Sequence, residues 1–307
     1  MNDFKSGEVF NTKLNFPQIY QIELTEKCNL NCPMCINDRI EHKIHAESTL
    51  LDTVVNNGYL RNTLYTELQF SGEPTLSPIL EYAIDSIHSQ NTLVGLSTNL
   101  TTINQPGMIE ILNKLDCITI SVDSYDKETY EKSRFPAKFS AFKDNLEKAV
   151  YFLSNPLIQL QLIKTEWTKD LFEKSKEKLT AEYDWLSNVI IREVEDCFVG
   201  YHENGEKKVN KQMCLNPFIA VSIKADGTVV PCCFDFFKNL PLGNILKGDN
   251  LLDIWNADDT ALDYLREAHR FQEGLPNKCK ECYARSPITF MNNELIPSII
   301  RYKLGKV

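Results

Sequence analysis

The stretch Thr25-Glu26-Lys27-Cys28-Asn29-Leu30-Asn31-Cys32-Pro33-Met34-Cys35 places three cysteines at C-x3-C-x2-C spacing. Thiolates this close, in a chain whose start (Met1-Asn2-Asp3-Phe4-Lys5) lacks the charged-then-apolar plan of an export signal, point to metal ligands rather than disulfide partners. Three thiolates suit an iron–sulfur cube with one iron left without a protein ligand, since a cube held wholly by protein takes four. The open iron is a place for a small molecule to bind. A structural zinc is the competing reading of the spacing alone.

Outward from this loop, the chain alternates between two periods. Residues 18–24 alternate apolar and polar and predict a strand, with the cysteines at its C-terminal end. Further strands are expected over 65–70, 93–97, 117–122, 157–163 and 188–194. Helices are expected over 46–56, 78–89, near 107–115, and over 139–153 and 169–183. Ser77 is the expected cap of the second helix, with Pro78 at its first position, where a missing N–H costs nothing. Six strands alternating with helices imply parallel crossovers and an α/β barrel or open sheet. Such sheets put ligand sites at the C-terminal ends of their strands.

Composition narrows the class. The chain has 307 residues, 43% hydrophobic and 24% charged, with a net charge of −9 and ten cysteines. That is room for one large domain, or one domain and a small one. No apolar run approaches the roughly 20 residues that span a bilayer, so a membrane partner is not expected. No Lys/Arg run forms a basic patch, which argues against nucleic acid. Ten cysteines without an export signal fit a reducing cytoplasm.

The Cys28, Cys32, Cys35 spacing resembles that of the radical S-adenosylmethionine (SAM) superfamily, with Met34 where relatives often carry an aromatic residue. The resemblance implies a partial (β/α)6 TIM barrel, a [4Fe–4S] cluster on the three cysteines, and SAM on the fourth iron. It extends to Ser71-Gly72-Glu73-Pro74 after the second strand, similar to the family's Gly-Gly-Glu-Pro, which implies that Glu73 meets the amino group of SAM. Ser97-Thr98-Asn99 after the third strand resembles Thr-Asn-Gly, with Leu100 in place of the glycine, and implies contact with the ribose region. Ser121-Val122-Asp123 after the fourth resembles Ser-[Ile/Val]-Asp, which implies that Ser121 and a downstream arginine, Arg134, take the SAM carboxylate. Asp123 is then a candidate to face the substrate, with a surface ion pair as the alternative reading of these residues.

After residue 205 the composition changes. Asp226-Gly227, between apolar segments at 220–223 and 228–230, predicts a hairpin that brings Cys214 and Cys232 together at its base. Gly227-x4-Cys232, Leu242-Gly243-Asn244-Ile245, Ile254-Trp255 and Cys279-Lys280-Glu281-Cys282 resemble the SPASM/twitch auxiliary-cluster domain. With no cysteine after Cys282, the shorter twitch type is implied, holding one auxiliary [4Fe–4S] cluster on Cys214, Cys232, Cys279 and Cys282; zinc is the alternative. The expected organisation is a barrel over 1–205, a cysteine-rich domain with a β-hairpin over 206–290, and a tail over 291–307. Three cysteines remain: Cys117 as core packing, Cys233 beside a ligand, and Cys197 just past the sixth strand.

The resemblance implies generation of a 5′-deoxyadenosyl radical, removal of a C–H hydrogen, and an external electron donor such as flavodoxin or ferredoxin. Two outcomes are open. Oxidation resembles the twitch-domain aminoglycoside dehydrogenases, with Arg192 as a hydrogen-bonding partner of the substrate oxygen. Epimerisation requires a thiol hydrogen donor, for which Cys197 is the candidate. The short segments before the first strand and after Cys282 leave little room for a leader-binding domain. A small polar substrate, a sugar or aminocyclitol, is therefore expected, with a ribosomally made peptide as the alternative. A non-catalytic metal-binding protein is the reading from another class, and it has no need of Glu73, Ser121 and Arg134 in register.

Overall fold

The structure, a computed structural model, describes residues 14–195, 213–280 and 282. Its first half alternates β1 (Ile19–Ile22), α1 (Ser48–Asn56), β2 (Tyr65–Glu67), α2 (Leu80–His88), β3 (Leu93–Thr98), α3 (Met108–Leu112) and β4 (Cys117–Ser121). It continues through α4 (Lys127–Ser133), α5 (Phe139–Phe152), β5 (Leu157–Lys164), α6 (Phe172–Tyr183) and β6 (Val189–Glu195). The second part holds α7 (Asn216–Ile219), β7 (Ala220–Ile223), β8 (Thr228–Val230), β9 (Gly243–Asn244), α8 (Leu251–Asn256), α9 (Ala261–Phe271) and α10 (Asn277–Lys280).

The strands form one sheet in the order β6-β5-β4-β3-β2-β1-β7-β8-β9, with β1 to β7 parallel and β8 and β9 antiparallel additions. This is the partial barrel expected from the alternation. The cysteine-rich part is continuous with it through β7, which pairs beside β1 with Ile22 opposite Ile223. The expected boundary at 205 falls outside the described residues.

Period-two alternation explains how each strand serves two layers. In β5, Ile158, Leu160 and Leu162 join the large core beneath the helices, along with Tyr20, Ile22, Leu50, Ile84, Val94, Ile118, Ile120 and Leu146. The opposite set forms a smaller apolar floor of Ile19, Tyr65, Cys117, Leu157 and Ala220, with Leu93 and Ile190 against it. Cys117 is thus a packing residue, as expected. Above the floor, the same face turns polar, with Gln21, Glu67, Thr119, Gln159, Arg192 and Ser222.

Several local expectations shift. Helix α2 starts at Leu80, not at Pro78: Ser77 ends a short 3-10 turn over Pro74–Leu76 and donates its hydroxyl to Leu24 O at 3.3 Å. Helix α4 was not expected; it is capped by Asp126, whose side chain accepts from Thr129 N at 3.1 Å. In the second part, Trp255 is fully buried, donates to Leu14 O at 2.6 Å, and carries the Arg266 guanidinium 4.3 Å above its ring. Helices α8 and α9 are thereby tied to the start of the barrel chain.

Candidate functional site

The loop that carries Cys28, Cys32 and Cys35 leaves β1 at its C-terminal end and folds back on itself. The Cys35 amide donates to Cys32 O at 2.9 Å. Backbone N–H groups reach two of the sulfurs, Leu30 N to Cys28 Sγ and Asn37 N to Cys35 Sγ, each at 3.4 Å. The Asn99 amide lies 4.0 Å from Cys28 Sγ, and Arg134 Nη1 lies 4.0 Å from Cys32 Sγ. All three thiols are unbridged. Burial pushes each of them up, Cys35 to about 11, and the charges of Cys28 and Cys32 add to the rise at Cys35. Metal binding reverses this balance, because a coordinated thiol is deprotonated outright.

The Ser71-Gly72-Glu73-Pro74 turn is stitched to this loop. Glu73 N donates to Lys27 O at 2.9 Å, and the Asn37 side chain donates to Glu26 O and Ser71 O at 2.7 and 2.8 Å. A Cβ on Gly72 would meet Thr25 O at 2.3 Å and Lys27 O at 2.7 Å. Both are backbone atoms that cannot swing aside. Gly72→Ala is expected to cost about 1–3 kcal/mol of stability, as overpacking does. Denaturant unfolding checks it, and an unchanged midpoint would show that the loop has slack.

Glu73 is buried at the head of the turn. Its Oε1 accepts from Thr75 N at 3.3 Å, Thr75 Oγ1 at 2.7 Å and Thr98 Oγ1 at 2.6 Å; Oε2 accepts from Asn99 N at 2.7 Å. Burial raises its carboxyl above the usual range, and these donors oppose the rise. The carboxylate ties the end of β2 to the end of β3 and keeps acceptor capacity on Oε2. Asn99 also donates to Asn29 Oδ1 at 3.0 Å, which brings the third strand end onto the cluster loop. Ser97 donates to Glu67 Oε1 at 3.0 Å.

At the end of β4, Asp123 adopts a left-handed backbone (φ 58°) and is fully buried. Its carboxylate meets Arg134 Nη2 at 2.5 Å. The geometry therefore places Asp123 against Arg134, where the sequence suggested a substrate-facing group. Arg134 is half-buried with its side chain 11% exposed, and its buried Nε has no hydrogen-bond partner among the described residues. Ser121 is half-buried at the last position of β4, opposite Gln161 of β5. Arg192, on β6, reaches Gln159 Oε1 at 3.5 Å. Cys197 lies outside the described residues.

The second group of cysteines converges from three segments. The β7–β8 hairpin returns the chain toward Cys214, and Cys232, Cys279 and Cys282 all lie within electrostatic reach of its thiol. Burial, then the Cys232 charge, pushes Cys214 to about 12. Cys232 moves the other way: the Cys233 side chain hydrogen-bonds to it, and Phe234 N donates to its sulfur at 3.2 Å. Among the described residues, no three His, Cys, Asp or Glu side chains crowd tightly enough for a single metal ion. A cube does not ask for that, since each thiolate takes a different iron.

Sequence reasoning passed over three residues that the fold makes central. Glu67 sits just above the apolar floor, accepting from the Tyr65 hydroxyl and from Ser97; burial raises its carboxyl. Glu23 and Lys224 form a fully buried ion pair at 2.8 Å. One signal was available: Gln21, Glu23 and Glu67 are polar residues in strands otherwise expected to be buried on both faces.

Comparison with known proteins places these observations. Residues 22–151 match the radical SAM superfamily model, and residues 214–283 match an iron–sulfur cluster-binding domain model, SPASM. A 7-carboxy-7-deazaguanine synthase of Haemophilus influenzae is 30% identical over 130 residues, 42% of this chain and 54% of that protein. An uncharacterized protein of Methanocaldococcus jannaschii, MJ0804, is 29% identical over 151 residues, 48% of this chain and 49% of that one. The chain thus spans about half the length of the curated relatives it matches. Among solved structures, BtrN in complex with AdoMet and 2-DOIA superposes with a TM-score of 0.61 at 16% identity, covering 91% of this chain and 98% of that one. Native anSMEcpe with bound AdoMet and Cp18Cys peptide gives 0.63 at 14% identity, covering 94% and 96%. Streptococcus suis SuiB bound to precursor peptide SuiA gives 0.60 at 17% identity, covering 90% and 72%. At these identities the structural likeness shows the fold. Among the described residues, no helix is long and apolar enough to cross a membrane.

Proposed function

We propose that this chain, which carries a radical SAM domain followed by a SPASM iron–sulfur domain, removes a hydrogen atom from a C–H bond of a small polar substrate such as a sugar or aminocyclitol. The radical SAM domain implies SAM and a [4Fe–4S] cluster, and the SPASM domain implies auxiliary iron–sulfur. The residues present fit both. Three unbridged thiols share one loop, with backbone N–H donors at the sulfurs of Cys28 and Cys35 of the kind that tune a cluster's potential. Arg134 keeps an orphaned buried Nε for an anionic group, and Glu73 keeps acceptor capacity for an ammonium. Bound together, SAM and the cluster supply a 5′-deoxyadenosyl radical.

The chain's own residues do the rest. Cys28, Cys32 and Cys35 would hold the SAM-binding cluster. Glu73, fixed by four donors, accepts from the SAM ammonium; Gly72 and Pro74 shape its turn. Arg134 and Ser121 take the SAM carboxylate, with Asp123 orienting the guanidinium. Ser97 and Asn99 line the ribose side. Cys214, Cys232, Cys279 and Cys282 hold the auxiliary cluster. An external one-electron donor of the flavodoxin or ferredoxin kind serves the reduction.

One observation carries the substrate class. Above its apolar floor, the barrel interior presents amide, hydroxyl and single acidic and basic groups: Gln21, Glu67, Thr119, Gln159, Arg192 and Ser222. Such a lining suits a ligand with many hydroxyl or amine groups and leaves an apolar one unrewarded. Arg192 is the candidate partner for the substrate oxygen next to the reacting carbon. An oxidised carbon centre would require the auxiliary cluster to accept an electron and a base to accept a proton; an inverted one would require a hydrogen atom from a thiol, for which Cys197 is the candidate. A peptide substrate is the second reading, favoured by the peptides bound to anSMEcpe and SuiB.

The test is anaerobic turnover of reconstituted protein with SAM, dithionite and panels of cyclitols, aminosugars and peptides. The expected result is 5′-deoxyadenosine release stimulated by a polyol or amino-polyol, with deuterium carried from a C–D-labelled substrate. Stimulation by peptides alone would favour the second reading. Solvent deuterium in recovered substrate marks epimerisation; a carbonyl product marks oxidation.

A further inference from the structure

Strands β1 and β7 pair in parallel, and the Glu23 amide donates to Ile223 O at 2.8 Å. Glu23 and Lys224 therefore face one another one residue beyond the strand ends. Both are fully buried, although an ammonium in the interior is costly unless paired. Lys224 Nζ lies 2.8 Å from Glu23 Oε2, 4.0 Å from Glu26 Oε1 and 4.0 Å from the centre of the Phe70 ring.

The partner carboxylate is shared between two parts of the molecule. Glu23 Oε2 also accepts from Ala225 N of the hairpin at 3.3 Å. Glu23 Oε1 accepts from Ser71 N at 3.0 Å and from the Ser71 hydroxyl. Ser71 O in turn accepts from Asn37 Nδ2, and Asn37 N donates to Cys35 Sγ. A continuous polar chain thus runs from the SPASM hairpin, through Lys224, Glu23, Ser71 and Asn37, to the third cysteine. An apolar island of Ile36, Phe70, Val230 and Phe236 packs beside it, with side chains from both ends of that chain.

We propose that Lys224 is a positioning residue for SAM: acting through Glu23, it holds the Ser71–Glu73 turn and couples the β7–β8 hairpin to SAM binding. The proposal rests on the reading that SAM is gripped at that turn. It gives the SPASM hairpin a task in cofactor binding apart from holding iron. Coupling of this kind is reciprocal, so SAM must steady the hairpin as much as the hairpin steadies SAM.

Amide hydrogen exchange of the cluster-loaded full chain, with and without SAM, tests this. SAM affinity is measured in parallel by equilibrium dialysis. In the wild type, SAM is expected to slow exchange by about fivefold or more both in residues 71–73 and in residues 220–230. The double variant Lys224→Met with Glu23→Gln removes both charges and so leaves none buried alone. It is expected to bind SAM about fivefold or more weakly and to lose the slowing at 220–230. If SAM slows 71–73 but leaves 220–230 unchanged in the wild type, the link is overturned while the SAM site stands. Equal slowing of the hairpin in the double variant also overturns it. If SAM binds without protecting 71–73, the reading of the SAM site falls, and the proposal with it. The wild-type comparison decides the matter even if the variant fails to fold.

Discussion

Alanine at Cys28, Cys32 and Cys35 together is expected to reduce SAM cleavage to background while leaving about four irons per chain, the content of one auxiliary cube. The three sulfurs share one loop, and N–H groups of Leu30 and Asn37 point at two of them. On the proposed assignment, removing the thiols leaves the SAM-binding cluster without a protein ligand. Cys214, Cys232, Cys279 and Cys282 come from a different part of the chain and stay together around the β7–β8 hairpin. Iron and sulfide per chain, with 5′-deoxyadenosine release under dithionite, measure both effects. Loss of all iron would show that the two sites do not assemble independently. Residual cleavage near the wild-type rate would remove Cys28, Cys32 and Cys35 from the mechanism.

Arg134 carries the second large effect. Its guanidinium is buried between Asp123 at 2.5 Å and Cys32 Sγ at 4.0 Å. Arg134→Ala leaves the Asp123 carboxylate buried without its counter-charge, a loss of about 3–5 kcal/mol in a buried pair. Arg134→Lys keeps the charge but loses the planar fork that meets two acceptors at once. The lysine variant is expected to fold and to bind SAM about ten- to a hundredfold more weakly, the worth of a charge-assisted hydrogen bond of about 1.5–3 kcal/mol. Equilibrium dialysis of SAM against cluster-loaded protein reads this directly. Affinity within about twofold of wild type would confine Arg134 to a structural pairing with Asp123. Thermal unfolding of the alanine variant supplies the stability side, and an unchanged midpoint would contradict the buried ion pair.

Much of the molecule was legible because its signals are local. The C-x3-C-x2-C spacing, the Gly-Glu-Pro turn, the Asp226-Gly227 hairpin and the period-two runs all lie within a few residues, where covalent geometry limits what the chain can do. Capping was less legible. Ser77 and Pro78 read as a helix start, yet the chain makes a 3-10 turn first, because Glu73 caps that turn from within the site. For Asp123 the residues left two readings, a group facing the substrate or a surface ion pair. Its left-handed backbone and the arrival of Arg134 after α4 make an ion pair, and a buried one where the sequence suggested a surface pair.

The sequence by itself determined the alternating strands and helices, the two groups of cysteines and the turns at the strand ends, since each depends on neighbours along the chain. Tertiary structure alone decided that β7 lies beside β1, that Glu23 meets Lys224 across 201 positions, and that Glu67 and Arg192 share the interior of one barrel. Those pairings depend on sheet order and register. Both are fixed by burying apolar faces across the whole chain, and no short stretch carries that information.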